Sequence, residues 1–166
     1  MEEYVDRFSG KLVLVLLDNN KVPSLKGGRS LWGLQRPLTY TEGDEGETIT
    51  VPAGFVTDLA SVPRWAWTLV PPDGPWVKAA IIHDYLYSTG GTGIWKKHPA
   101  SISRSTPYSR LEADRIMKEA MENRGVPGFF ANLIYLAVRL GGGPDWDENR
   151  DAIATQEVQR YVTEKG

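Results

Sequence analysis

The stretch "AAIIHDYLYS", residues 79–88, sets an imidazole and a carboxylate inside an apolar run. Pro75 opens that run and Gly90-Gly91 close it, which predicts a helix over Pro75–Ser88. At about 100° per residue, Trp76, Ala79, Ala80, His83, Leu86 and Tyr87 share one face, with His83 at its centre. The two alanines one turn earlier leave room for a second helix to come close. Asp84 falls at the edge of the same face.

The second helix is written in "YSRLEADRIMKEAMENR", residues 108–124, and is stopped by Gly125. Leu111, Asp114, Met117 and Met121 recur as a core-facing stripe, with Lys118 on its flank. A carboxylate on an apolar face needs a partner, because an unpaired buried charge is costly. Arg110, one turn away, is one candidate. His83 is the better one, since a carboxylate on one ring nitrogen fixes the tautomer and leaves the other nitrogen as a base. The expected site is therefore a His83–Asp114 pair across two packed helices. Tyr87 hydrogen-bonds to Asp114, and Asp84 stands beside them to hold a metal ion or water. The competing reading treats the same residues as a satisfied polar network that only sets helix register, with Asp84 solvated.

Outward from this pair the chain divides in two. The first sixty residues are β-rich. Short strands are expected at Leu12–Leu17 (buried), Ser30–Leu34, Arg36–Tyr40, Glu47–Val51 and Phe55–Thr57, with a hairpin loop at Thr41–Gly46. After Asp58 the texture turns helical. A short helix capped by Ser61 runs to Val70, and a strongly apolar one spans Pro127–Leu140 before Gly141-Gly142-Gly143. Residues 89–107 read as a long exposed loop. The fold class is α+β: a small antiparallel β region followed by three to four packed helices, in one domain over residues 1–144. Residues 145–166 form a polar segment with a weak helix at Asn149–Thr163. Asp58, where a strand hands over to a helix, is a capping residue first and a metal ligand second.

Composition bounds the chemistry. The chain of 166 residues is 41% hydrophobic and 24% charged, with net charge −2, so nothing in it draws nucleic acid or an anionic membrane. It has no cysteine, which removes disulfides, thiolate metal sites and a cysteine nucleophile. The run Leu12–Leu17 falls far short of the ~20 residues that span a bilayer, so a soluble, cytosolically made protein is expected. Ser61, Ser88, Ser101 and Ser109 stand outside any G-x-S-x-G pattern, which leaves a serine hydrolase without support. His98, in "GIWKKHPAS", reads as exposed. The sequence leaves the oligomeric state open.

The motifs "FVTDLASVPR", "KAAIIHDYLY" and "EADRIMKEAM" resemble a domain-of-unknown-function family common in tailed bacteriophages and prophages. The resemblance covers roughly residues 50–140. It implies synthesis in the host cytoplasm, passage into the virion, and partners among phage structural proteins or the host envelope. The pair "HDYLY" and "ADR" is also similar to the helix pair of phospholipase A2 enzymes. That likeness implies His83 as the base that activates water, Tyr87 and Asp114 as its orienting groups, and Asp84 as a Ca²⁺ ligand. The calcium loop of those enzymes is replaced here by "VPPDGP". Two functions follow as expectations. One is a hydrolase acting on an ester or amide of the host envelope, metal-assisted or not. The other is a non-enzymatic tail or ejection component in which the network is purely structural.

Overall fold

Alternation of apolar and threonine positions builds the first half of the protein. The computed structural model describes residues 6–17, 31–43, 46–59, 61–62, 65–66 and 74–148. The strands are β1 (Phe8–Ser9), β2 (Leu14–Leu16), β3 (Trp32–Leu34), β4 (Leu38–Thr41), β5 (Thr48–Val51) and β6 (Val56–Thr57). They form two antiparallel three-stranded sheets, ordered β1-β4-β5 and β2-β3-β6. In the β4–β5 hairpin Leu38 faces Val51 and Tyr40 faces Ile49, and all four are buried. The alternate positions are threonines, and the Thr39 and Thr50 hydroxyls meet at 2.8 Å. This is the period-2 division of a strand with one covered face. The expected loop at Thr41–Gly46 lies partly outside the described residues, and Thr41 itself pairs with Thr48 in the ladder.

Two strand expectations need correction. Leu12–Leu17 reads as buried, yet β2 lies at the edge of its sheet, and Val15 and Leu16 are exposed. β1 is only two residues long and carries no periodic signal.

Three helices follow: α1 (Trp76–Ser88), α2 (Arg110–Asn123) and α3 (Gly128–Gly141). Residues 143–148 are helical as well. The α+β class and the count of three to four helices therefore hold. α1 packs against α2 and β5, and α2 packs against α3. Only Ser88 of α1 is exposed, with Lys78 and Asp84 half-buried. α1 is the central element, which is why its sequence has so little polar face.

α2 starts with a capping box. The Ser109 hydroxyl accepts the Glu112 backbone N–H, and the Glu112 carboxylate accepts the Ser109 backbone N–H. Arg104 grips the same carboxylate with two bonds of 2.9 and 3.0 Å. The buried face of α2 is Ala113, Asp114, Ile116, Met117, Ala120 and Met121. Leu111, expected on that face, sits at its margin and is 39% exposed. The face is centred on the alanines instead, small residues like Ala79 and Ala80 of α1.

Residues 89–107 are not simply an exposed loop. Thr89, Gly91 and Gly93 are buried, and Thr50 and Thr48 of β5 exchange backbone bonds with Ser101 and Ser103. Ile102 bridges Ile49. Backbone pairing docks this segment, and side-chain polarity does not record it. Gly91 is required there: its φ is +77°, and a Cβ would lie 1.9 Å from the Tyr108 carbonyl oxygen.

Most of the expected Ser61–Val70 helix lies outside the described residues; Trp65 and Ala66 form a 3₁₀ turn. The Asn149–Thr163 helix also lies outside them. Trp146, in the 143–148 turn, is buried and stacks edge-on against Tyr87 at 5.1 Å. Among the described residues no helix is long and apolar enough to cross a membrane.

Ser109→Ala removes one half of the capping box and should destabilise the fold by about 1 kcal/mol. The denaturant midpoint measures this, with an unchanged m-value expected because the exposed surface is the same.

Candidate functional site

α1 carries His83 into the interior, where it is 3% exposed. Its Nε2 lies 2.8 Å from Oδ1 of Asp114 on α2. Asp114 has no exposed surface and takes three donors. Tyr87 donates its hydroxyl to Oδ1 at 2.7 Å, and Arg139 of α3 donates to Oδ2 at 2.7 Å. An ionised carboxylate only accepts, so Nε2 of His83 carries a proton. The structure thus brings together the pair expected from the helix faces, and Tyr87 joins it.

Besides His83, the preferred partner, a cation the sequence reading did not name holds Asp114. Arg110 reaches only 3.9 Å from Asp114. It hydrogen-bonds instead to the Tyr87 hydroxyl at 3.3 Å and to the Arg139 carbonyl. Arg139 holds Asp114 directly. The signal for it was present: Arg139 is the single charged residue in "GFFANLIYLAVRLG". Next to it, Gly142 is held bare, because a Cβ there would lie 2.7 Å from the Tyr87 hydroxyl.

The other ring nitrogen faces a hydroxyl. Nδ1 of His83 lies 2.9 Å from Ser61 Oγ. The same hydroxyl meets Asp84 Oδ1, and the Thr57 hydroxyl donates to Asp84 Oδ2. Thr57 also receives the Leu59 backbone N–H at 3.0 Å. Ser61 and Asp84 keep partial exposure, whereas Asp114 has none. On the way from Thr57 to Ser61 the chain is strained: Leu59, a bulky residue, adopts φ 55°. Ser61 was legible only as a helix cap, because nothing in its neighbours announces a histidine some twenty residues ahead. Asp58 is half-buried, and its charge acts on Asp84.

A Ca²⁺ ion does not fit this set. Both Asp84 oxygens are engaged by hydroxyls, and among the described residues no three His, Asp or Glu side chains converge on one point. Six to eight oxygens are needed.

The electrostatics are coupled. Burial works against a charged imidazole at His83, but hydrogen bonds to Asp114 and Asp84 outweigh it and hold the ring above its ordinary value. Burial pushes Asp84 up, against the pull of His83 and Thr57. Burial also opposes the Asp114 charge, yet His83, Tyr87 and Arg139 hold this carboxyl below its usual range. Burial and the Asp114 charge push Tyr87 up, which keeps its hydroxyl protonated as a donor.

Residues 32–138, which contain His83, Asp84, Tyr87, Asp114, Thr57 and Ser61 but stop one residue short of Arg139, match a family model described as "Protein of unknown function (DUF1353)". The chain belongs to this family. It is also similar to "Uncharacterized protein y4jT" of Sinorhizobium fredii (strain NBRC 101917 / NGR234). The two are 34% identical over 120 residues, covering 71% of this chain and 30% of that protein. The chain thus spans about 30% of the length of this relative. No solved structure matches the chain.

The raised His83 and Asp84 values have one consequence for stability. A group whose folded value is raised stabilises most at pH below its unfolded value and loses that contribution as pH climbs through the folded one. The free energy of unfolding should fall as pH rises above about 6.5, the ordinary histidine value. In His83→Gln this alkaline-side slope should shrink, as read from denaturant melts between roughly pH 6 and 9.

Proposed function

We propose that the protein is a hydrolase in which His83 is the general base. It cleaves an ester or amide of the host envelope, lipid or peptidoglycan, in the phage or prophage context its motifs resemble. The observation that carries this reading is the asymmetric setting of one imidazole. Nε2 is anchored on a buried, ionised carboxylate, while Nδ1 faces a half-buried rim of hydroxyl and carboxyl groups. An anchored base is oriented without cost at the moment of reaction, and a nearby negative charge stabilises the imidazolium it becomes. His83 takes the proton of the attacking hydroxyl group, and water is the final acceptor of the acyl group. Asp114 is a positioning residue, steadied by Tyr87 and Arg139. This arrangement has the histidine, tyrosine and aspartate of the phospholipase A2 likeness without its calcium.

A second reading, a virion or assembly component, draws on a different observation. Asp114 ties α1, α2 and α3 together from a position with no exposure. In that case the network is a register lock.

The two readings separate on phosphatidylethanolamine vesicles and purified peptidoglycan sacculi, scored for released fatty acid or soluble fragments. Under the hydrolase reading the native chain releases one of these, and His83→Ala lowers the rate by about 100-fold or more. Asp114→Asn should move the acid limb of the pH–rate profile to lower pH, since the base loses the charge that raises it. Under the structural reading neither substrate is turned over, and each variant costs about 1–3 kcal/mol of stability.

A further inference from the structure

We propose that Ser61 is the nucleophile of this site, so that hydrolysis runs through an acyl-serine and not by direct attack of water. The inference rests on the hydrolase reading above. It comes from which atom already occupies the open nitrogen of the base. His83 has two ring nitrogens; Asp114 holds one at 2.8 Å and Ser61 Oγ holds the other at 2.9 Å. The ring is 3% exposed, and a water at Nδ1 would have to displace the serine. The hydroxyl therefore stands where the attacking oxygen belongs, with its base in contact and its base's carboxylate beyond. The nitrogens are used in the opposite sense to the familiar Ser-His-Asp arrangement: serine on Nδ1, acid on Nε2.

Three further features fit a nucleophile better than a cap. Ser61 keeps partial exposure, whereas His83 is almost fully buried. It follows β6 by a turn in which Leu59 is held at φ 55°, a strained strand exit that presents the serine at a bend. Asp84, fixed by Thr57, also hydrogen-bonds the hydroxyl. In the resting structure the Ser61 hydroxyl donates to Asp84 Oδ1, and in the reacting arrangement that proton turns to the neighbouring Nδ1.

The step balances as follows. A lone pair of Ser61 Oγ forms a bond to the substrate carbonyl carbon, and the carbonyl π electrons move onto its oxygen. The Oγ proton passes to Nδ1, giving an imidazolium held at Nε2 by Asp114. The tetrahedral centre collapses, the bond to the leaving group breaks, and that group departs with the electron pair and the Nδ1 proton. Water then attacks the acyl-serine, gives its proton to Nδ1, and the carbon–Oγ bond breaks as Ser61 recovers it.

The test uses a fluorophosphonate, which phosphorylates only an activated hydroxyl, read by intact mass and peptide mapping. The native chain should gain one phosphonyl group on Ser61, at a rate reduced by about 100-fold in His83→Ala. No label, or a label that persists in Ser61→Ala, overturns the inference. So does Ser61→Ala that hydrolyses p-nitrophenyl butyrate at the native rate while His83→Ala does not; that result keeps the general base and removes the serine. A second readout does not depend on the alanine variant. The chain has no cysteine, so Ser61→Cys introduces a single thiol. Iodoacetamide at neutral pH should alkylate it roughly tenfold faster than in the double variant Ser61→Cys, His83→Ala. Equal rates overturn the proposal.

Discussion

The structure depends on one buried negative charge. Asp114 has no exposed surface, and its two oxygens accept from His83 of α1, Tyr87 of α1 and Arg139 of α3. A carboxylate in that position is tolerable only when every lone pair is used and a cation is present. The requirement works in both directions. Once Asp114 is placed, the three helices have a single register in which its donors arrive, so the charge selects the packing as much as the packing buries the charge.

The same interaction organises the polar end of the site. With Nε2 committed to Asp114, the His83 ring cannot rotate, and Nδ1 is aimed at the turn after β6. There it meets Ser61, and Ser61 meets Asp84, itself held by Thr57. A line of hydrogen bonds runs from a half-buried rim through the imidazole to the charge at the centre of the helices. Its members are raised or lowered in the sense that keeps each bond made: Asp114 stays ionised, Tyr87 stays protonated, and His83 and Asp84 hold their protons more tightly than free groups do. The β region contributes the strand end that delivers Thr57 and Ser61; the helices contribute the base and its anchor.

Much of this was legible in the sequence for physical reasons. Helical periodicity put His83 and Asp114 at the centres of apolar faces, and a charge on an apolar face has few solutions. The three main helices were marked by Pro75, Gly125, Pro127 and the glycines after each, which act locally; the Ser109 capping box that opens α2 was not read. What stayed hidden depends on tertiary approach. Arg139 joins His83 on Asp114, closer than Arg110, because α3 packs over that face of α2. Leu111 leaves the buried stripe because α2 is seated on its alanines. The 89–107 segment docks through backbone bonds to β5. Ser61 reaches His83 through chain geometry that no periodic pattern encodes, and it stands outside any G-x-S-x-G pattern.

The central claim is that the His83 imidazole is locked on Asp114 through Nε2 inside the protein. Proton NMR in water with ¹⁵N-labelled histidine tests it most directly, because the chain has only two histidines and His98 is an exposed internal reference. The account predicts a slowly exchanging, far-downfield ring N–H that correlates with His83 Nε2 and disappears in Asp114→Asn, while His98 shows none. A His83 ring proton that exchanges with water as fast as that of His98 would contradict it.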